Sequence, residues 1–204
     1  MSTLFVISGP SGAGKSVFIR RILDDLPAIR FSVSSTTRAP RPGEIDGVNY
    51  HFISREQFQA DIDAGHFLEH AQYSGNLYGT HRHEIEEAEL HGQDLLLDIE
   101  VQGARQLQVK GIEAVYIFVT PPSFAELELR LRSRNTEDEA AIQRRLRQAV
   151  EDVSHLDRYQ FVIVNDNLEE AYSRLLSIFV AERSRRSRME ATLEPILASF
   201  KKNA

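Results

Sequence analysis

The chain has 204 residues, 42% of them hydrophobic and 26% charged, with a net charge of −6 and no cysteine. This composition suits one soluble globular domain, or one domain carrying insertions, with a substantial core. Its acidic balance argues against a nucleic-acid footprint, its lack of Cys excludes disulfides and thiolate metal sites, and no stretch approaches the ~20 apolar residues of a membrane span.

The first element is the apolar run at residues 4–8, read as a buried strand. It is too short, and too quickly followed by a loop, to be a signal peptide, so a cytoplasmic location is expected. Gly9-Pro10-Ser11-Gly12-Ala13-Gly14-Lys15-Ser16 follows at once and matches G-x-x-x-x-G-K-[ST]. Behind it, Phe18, Ile22 and Leu26 recur beside Ile19 and Leu23, which predicts a helix. A glycine-rich turn could merely join a strand to a helix, but these offsets in this context describe a phosphate loop. Its N–H groups converge on an anion, Lys15 reaches the β/γ-phosphates, and Ser16 is suited to ligand Mg²⁺. The ligand is ATP or GTP.

Residues 31–80 have a different texture, with alternating polar and apolar positions that predict a mainly β insertion carrying one short helix near 55–64. Within it, Ser34 to Gly43 combines hydroxyls with Arg38 and Arg41 in a segment stiffened by prolines, a mixture that suits a bound phosphate. Further apolar runs at 95–99, 114–119 and 160–164 alternate with helical periodicity, which indicates a parallel α/β core. Asp98 closes Leu95-Leu96-Leu97 and so falls at the carboxyl end of a core strand, where open α/β sheets bind ligands.

Helices are predicted over 123–133 and 137–155. The second opens on the capping-box pattern Thr136-x-x-Glu139 and carries Ile142, Leu146, Ala149 and Val153 on one side, with Arg144, Arg145 and Arg147 on the other. A last helix begins near 168 with the stripe Ala171, Leu175, Ile178 and Phe179. The arginines of 183–188 read as a solvated helix face, and the histidines as surface or packing residues without metal-site spacing. Gly92, Gly103 and Gly111 are candidate hinges or, equally, turn and cap glycines.

The phosphate loop, Phe31-Ser32-Val33-Ser34-Ser35-Thr36-Thr37-Arg38, Arg41-Pro42-Gly43-Glu44, Phe67-Leu68-Glu69, Tyr78-Gly79-Thr80, Asp98-Ile99-Glu100-Val101-Gln102-Gly103-Ala104 and Val162-Ile163-Val164-Asn165-Asp166 together resemble guanylate kinases, bacterial members in particular. The likeness runs in order from about residue 3 to beyond 180. It implies a P-loop nucleoside monophosphate kinase fold in three parts: a core of 1–32, 92–122 and 156–204, a GMP-binding insertion at 33–91, and a helical lid at 123–155. It also implies that Ser34, Arg38, Arg41, Tyr50 and Tyr78 hold the GMP phosphate, while Glu69, Thr80 and Glu100 read the base beside Asp98.

On the same resemblance ATP sits on Gly9 to Ser16 and Val17, with Arg130, Arg134 and Asn165, and Mg²⁺ is held by Ser16 with Asp98 in its outer shell. Lys15, Arg38, Arg41, Arg134 and Arg145 supply the field for phosphoryl transfer, whereas Arg132 and Arg144 read as surface residues. Asn165 has a second reading as the cap of the following helix. Val17, Thr80, Glu100 and Asn135 depart from the common family residues without removing a catalytic group. The expected activity is ATP-dependent phosphorylation of GMP and dGMP. Two rivals are a ribose 1,5-bisphosphate phosphokinase, which would leave Glu69, Thr80 and Glu100 unpaired, and a non-catalytic interaction module, which would have no use for Lys15. The C-terminal arm is a candidate for packing on a second copy.

Overall fold

A computed structural model describes residues 2–73, 75–133 and 138–201. The chain runs β1 (Leu4–Ser8), α1 (Lys15–Asp25), β2 (Ile29–Phe31), β3 (Ser35–Thr36), β4 (His51–Phe52), α2 (Arg55–Asp63), β5 (Phe67–Tyr73), β6 (Asn76–His81) and α3 (His83–Leu90). It continues through β7 (Asp94–Asp98), α4 (Val101–Val109), β8 (Val115–Thr120), α5 (Phe124–Ser133), α6 (Glu139–Val153), β9 (Phe161–Val164), α7 (Leu168–Arg183) and α8 (Glu190–Lys201).

The apolar runs form one parallel sheet in the order β2-β7-β1-β8-β9, with β1 at its centre. Because side chains alternate along a strand, Phe5 and Ile7 enter one face and Val6 the other. The first face packs with Phe18 and Ile22 of α1 and Leu175 and Phe179 of α7, where the rings of Phe5 and Phe179 stack at 4.0 Å. The second packs with Val101, Ala104 and Leu107 of α4. Coverage on both faces is what buried parallel strands require, and the carboxyl ends of β1 and β7 are thereby fixed at a common edge.

β2 was not predicted. Its three residues are only partly buried and follow Ala28, whose φ of 56° breaks any periodicity, yet Ile29 to Phe31 pair with Asp94 to Leu96. The insertion folds as a second sheet in the order β4-β3-β6-β5, with β3 antiparallel to β6 and β6 antiparallel to β5. It carries the expected helix, α2, and a further one, α3.

α5 and α6 pack on each other through Leu127, Leu131, Ile142, Leu146 and Ala149, an apolar cluster separate from the sheet faces. Thr136 lies outside the described residues, and the capping-box reading is corrected. Asp138 caps α6 by accepting from the N–H of Ala141 at 2.7 Å, while Glu139 turns to Arg132 and Gln143. Val153 is also corrected: it is 38% exposed, and Asp152 takes the buried position at the end of the stripe.

The arginines of 183–188 are not simply a solvated face. Arg183 donates to Asp94 at 2.8 Å and to the Pro27 carbonyl, and Arg185 and Arg188 surround the buried Glu182. Among the described residues no helix is long and apolar enough to cross a membrane.

Candidate active site

The phosphate loop joins the centre of the sheet to α1, and its glycines are required by geometry. Gly9, at φ 142°, lies against Val119, where a Cβ would come within 2.0 Å of the carbonyl oxygen. Gly14, at φ 97°, lies against Asn165 and would clash with its side-chain amide at 2.4 Å. Lys15 opens α1 and folds back to donate to the Gly9 carbonyl at 2.8 Å, with its ammonium 3.9 Å from Asp98. Ser16 is exposed in the first helical turn beside Val17.

A cleft of about 190 Å³ opens beside this loop. Two chemically different walls face it. One comes from the segments on either side of β3 and from β6: Ser34, Arg38, Arg41, Tyr50 and Tyr78. The other comes from β5 and the end of β7: Glu69, Asp98 and Glu100. Ser11, Lys15 and Arg145 complete the lining.

Arg38 is held before any ligand arrives. It forks onto Glu44 through two bonds of 2.9 Å, donates to the Ala39 carbonyl at 2.7 Å, and lies over the rings of Tyr50 and Phe52. Glu44 also accepts from the main-chain N–H of Arg41 at 2.7 Å, leaving the Arg41 side chain directed at the cleft. Arg38 keeps the Glu44 carboxyl below its ordinary pKa. No role was assigned to Glu44 from sequence, although an acid six residues after one arginine and three after another, in a Pro/Gly turn, is a readable sign of such a brace. Tyr73, Ala71, Gly79 and Ile99 also line the cleft unpredicted.

The acidic wall is poorly solvated. Glu69 is 2% exposed, and burial pushes its carboxyl up to about 7 despite the hydroxyl of Thr80, which donates to Oε1 at 2.7 Å. Burial likewise pushes Glu100 up to about 7, opposed by Lys15, and raises Asp98 against the same ammonium. Burial and the charge of Asp98 push Tyr50 up to about 12. Thr80 is fully buried, and its hydroxyl donates to Glu69, the neighbouring residue expected to read the base with it. It stands behind the carboxylate and orients it.

α6 delivers Arg145 to the loop, where its guanidinium donates to the Ser11 hydroxyl. Arg130 bonds to Glu126 at 2.8 Å and to the main-chain oxygen of Asn165 at 2.9 Å. Arg134, expected beside it, lies outside the described residues. Arg132 pairs with Glu128 and Glu139 on another face, as a surface residue would. The buried side chain of Asn165 donates to the Ala13 carbonyl at 2.8 Å. The capping alternative for Asn165 is corrected, because Asn167 caps α7 by accepting from the N–H groups of Glu169 and Glu170. Gly103 lies within α4 against Glu69, and Gly92 and Gly111 close helices at φ 61° and 68°.

The cleft therefore combines a cationic, hydroxyl-bearing wall fit for a phosphate with an acidic wall fit for adjacent hydrogen-bond donors, next to a loop built for a second set of phosphates. Comparison with known proteins agrees with that chemistry. The profile of the guanylate kinase family matches residues 1–182. The guanylate kinase of Chromohalobacter salexigens is 45% identical over 97% of this chain and 92% of its own, and that of Rubrobacter xylanophilus is 52% identical over 86% and 92%. Among solved structures, guanylate kinase from Anaplasma phagocytophilum superposes with a TM-score of 0.74 at 34% identity, covering 92% of this chain and 89% of its own. The likeness runs along nearly the whole length of these relatives, and the chain belongs to the guanylate kinase family.

Proposed function

We propose that the chain transfers the terminal phosphoryl group of ATP to GMP or dGMP, yielding ADP and the nucleoside diphosphate. The observation that carries this reading is the meeting of the Arg38–Arg41–Tyr50–Tyr78 wall and the Glu69–Glu100 wall in one cleft beside Lys15. The working parts are a core of 1–32, 92–122 and 156–204, an acceptor-binding part of 33–91, and a lid of 123–155, acting together in the cytoplasm.

Arg38, Arg41, Ser34 and the two tyrosine hydroxyls bind the acceptor phosphate, with Arg38 already aimed by Glu44. Guanine presents two neighbouring donors, N1–H and the 2-amino group, and a carboxylate at Glu69 with Glu100 accepts them. Adenine presents an acceptor at N1 and would leave that carboxylate facing a lone pair. The groups named touch phosphate and base, so GMP and dGMP are both accepted. A sugar phosphate without a base would leave two buried acids unpaired, which disfavours the ribose bisphosphate alternative.

The phosphate loop and Val17 seat ATP, with Asn165 bracing the loop through the Ala13 carbonyl, and Arg130 and Arg134 contribute positive charge toward it. The attacking atom is a phosphate oxygen already ionised at neutral pH, so no general base is required. Lys15, Arg38, Arg41, Arg134 and Arg145 align the two phosphates and offset their charge. The lid arginine Arg145 reaches Ser11 and so brings its charge to the phosphate loop. Mg²⁺ fits this donor set, since an ion shared with substrate phosphates takes only one or two protein groups. The Ser16 hydroxyl would ligand it, Asp98 would organise its outer shell, and it would neutralise charge between the phosphates.

The test is ADP release from Mg·ATP with GMP, dGMP, AMP, CMP, UMP and ribose 1,5-bisphosphate supplied separately. Turnover confined to GMP and dGMP is expected. Turnover with the sugar phosphate alone, or with no acceptor although ATP binds, overturns the reading.

A further inference from the structure

The edge strand β5 does not end its sheet in solvent. Its outward-facing main-chain groups are taken up at alternate residues by one face of α4. Gln102 accepts from the N–H of Gln72 at 3.4 Å. Gln106 accepts from the N–H of His70 at 3.2 Å and donates to the carbonyl of the same residue. Lys110 donates to the carbonyl of Leu68 at 2.7 Å. Positions 102, 106 and 110 are spaced i, i+4, i+8 and share one helix face, while 68, 70 and 72 are the β5 residues whose backbone points away from β6.

An uncovered edge could have been protected by a charge or a bulge alone. Here a helix of the core grips a strand of the insertion, and Glu69 lies between two of the gripped residues. The register of β5 against β6 slips between Phe67 and Glu69, which re-aims the strand just where the grip begins. Glu100, the second acid of the cleft, is the residue that opens the same helix.

We propose that Gln102, Gln106 and Lys110 are positioning residues for acceptor selection, fixing the spacing of Glu69 and Glu100 by clamping β5 to α4. The proposal rests on the reading of those two acids as the groups that recognise guanine. Gln106 is the centre of the clamp, since it satisfies both main-chain groups of His70. Lys110 adds charge, because its ammonium opposes the upward shift that burial imposes on Glu69. The other groups facing Glu69 are Thr80 from β6 and Glu100 at the head of α4.

The experiment measures kcat and KM for GMP, the GMP-to-AMP ratio of kcat/KM, and KM for ATP in Gln106→Met, Gln106→Glu, Lys110→Met and Glu69→Gln, with Tm as a check of folding. Losing one or two such bonds is expected to raise KM for GMP by about tenfold in Gln106→Met, with kcat and KM for ATP within about threefold. The GMP-to-AMP ratio should fall with it. Gln106→Glu, which keeps the acceptor for the His70 N–H, should recover part of the loss and serves if the Met variant does not fold. Lys110→Met should move the pH at which KM for GMP begins to rise toward higher pH, which a purely structural support would not do. Folded Gln106 variants with unchanged KM and ratio overturn the proposal, as does an equal loss of kcat and both KM values. If Glu69→Gln itself leaves the ratio unchanged, the reading of the acids as guanine recognition fails instead.

Discussion

The carboxylate of Glu69 lies over the main chain of Gly103, so closely that a Cβ at 103 would stand 2.1 Å from Oε2. Gly103 is therefore neither a hinge nor a cap. It is the place where α4 gives up a side chain so that a buried acid from the other sheet can reach the cleft. Gly103→Ala must push Glu69 out of register, while a mid-helix alanine is otherwise favourable by about 1 kcal/mol. The expected outcome is a fall of roughly a hundredfold in kcat/KM for GMP, on the scale of about 2.7 kcal/mol, with ATP binding unchanged. Isothermal titration with each nucleotide checks it, and unchanged GMP affinity would show that the site tolerates the displacement.

The buried acids make acceptor binding depend on pH in a stated direction. Burial pushes Glu69 and Glu100 up to about 7, and on the proposed reading guanine needs their carboxylate forms. KM for GMP is expected to rise about tenfold per pH unit below 7 for each controlling proton, with KM for ATP much flatter. Stability has the opposite slope. A carboxyl whose folded pKa lies above its unfolded value favours the fold most below about 4.5, and that contribution is lost as pH rises through about 7. The Tm of the ligand-free enzyme should therefore drop between about pH 4.5 and 7 and level off above, and drop less steeply in Glu69→Gln. Identical slopes in the two proteins would place the titration elsewhere.

What could be read from sequence divides along physical lines. The core strands and α7 announce themselves because each buries long apolar side chains at a regular period, as in Phe5, Ile7, Leu175 and Phe179, and the loop because its glycines, Lys15 and Ser16 stand at fixed offsets. β2 escapes because its residues are only half buried and owe their conformation to pairing with Asp94 to Leu96. The site's residue types were legible, but their partners were not. Nothing in the spacing says that the Thr80 hydroxyl turns to Glu69, or that Asn167, two residues after Asn165, takes the cap. Those are choices among hydrogen-bond partners that only the packed backbone makes.

Asn165 shows how such a choice acts on the loop. Its amide reaches the Ala13 carbonyl only because Gly14 has no side chain, and both groups are buried. Asn165→Ala leaves that carbonyl without a partner, a cost of about 1–3 kcal/mol. For a chain of this size the expected drop in Tm is about 5 °C. KM for ATP should rise while KM for GMP holds, since the acceptor cleft does not include residue 165. Differential scanning calorimetry with steady-state kinetics checks both, and a parallel rise of the two KM values would mean that the substitution loosens the whole site.

Arg145 and Arg132 lie on the neighbouring helices α6 and α5, and the proposed function gives them different roles. Arg145 reaches Ser11 and lines the cleft, while Arg132 is bound to Glu128 and Glu139 away from it. A lysine at 145 keeps the charge but loses the planar fork that can bridge a loop hydroxyl and a phosphate oxygen together. Because that bridge matters most as charge moves between the phosphates, Arg145→Lys is expected to lower kcat by about a hundredfold, with both KM values within about threefold. Arg132→Ala removes partly exposed ion pairs that contribute about 0.5 kcal/mol, so kcat should stay within about twofold. Steady-state kinetics of the two variants decides the matter: equal losses of kcat would assign the lid arginines a bulk electrostatic role, and a loss confined to KM for ATP would make Arg145 a binding residue alone.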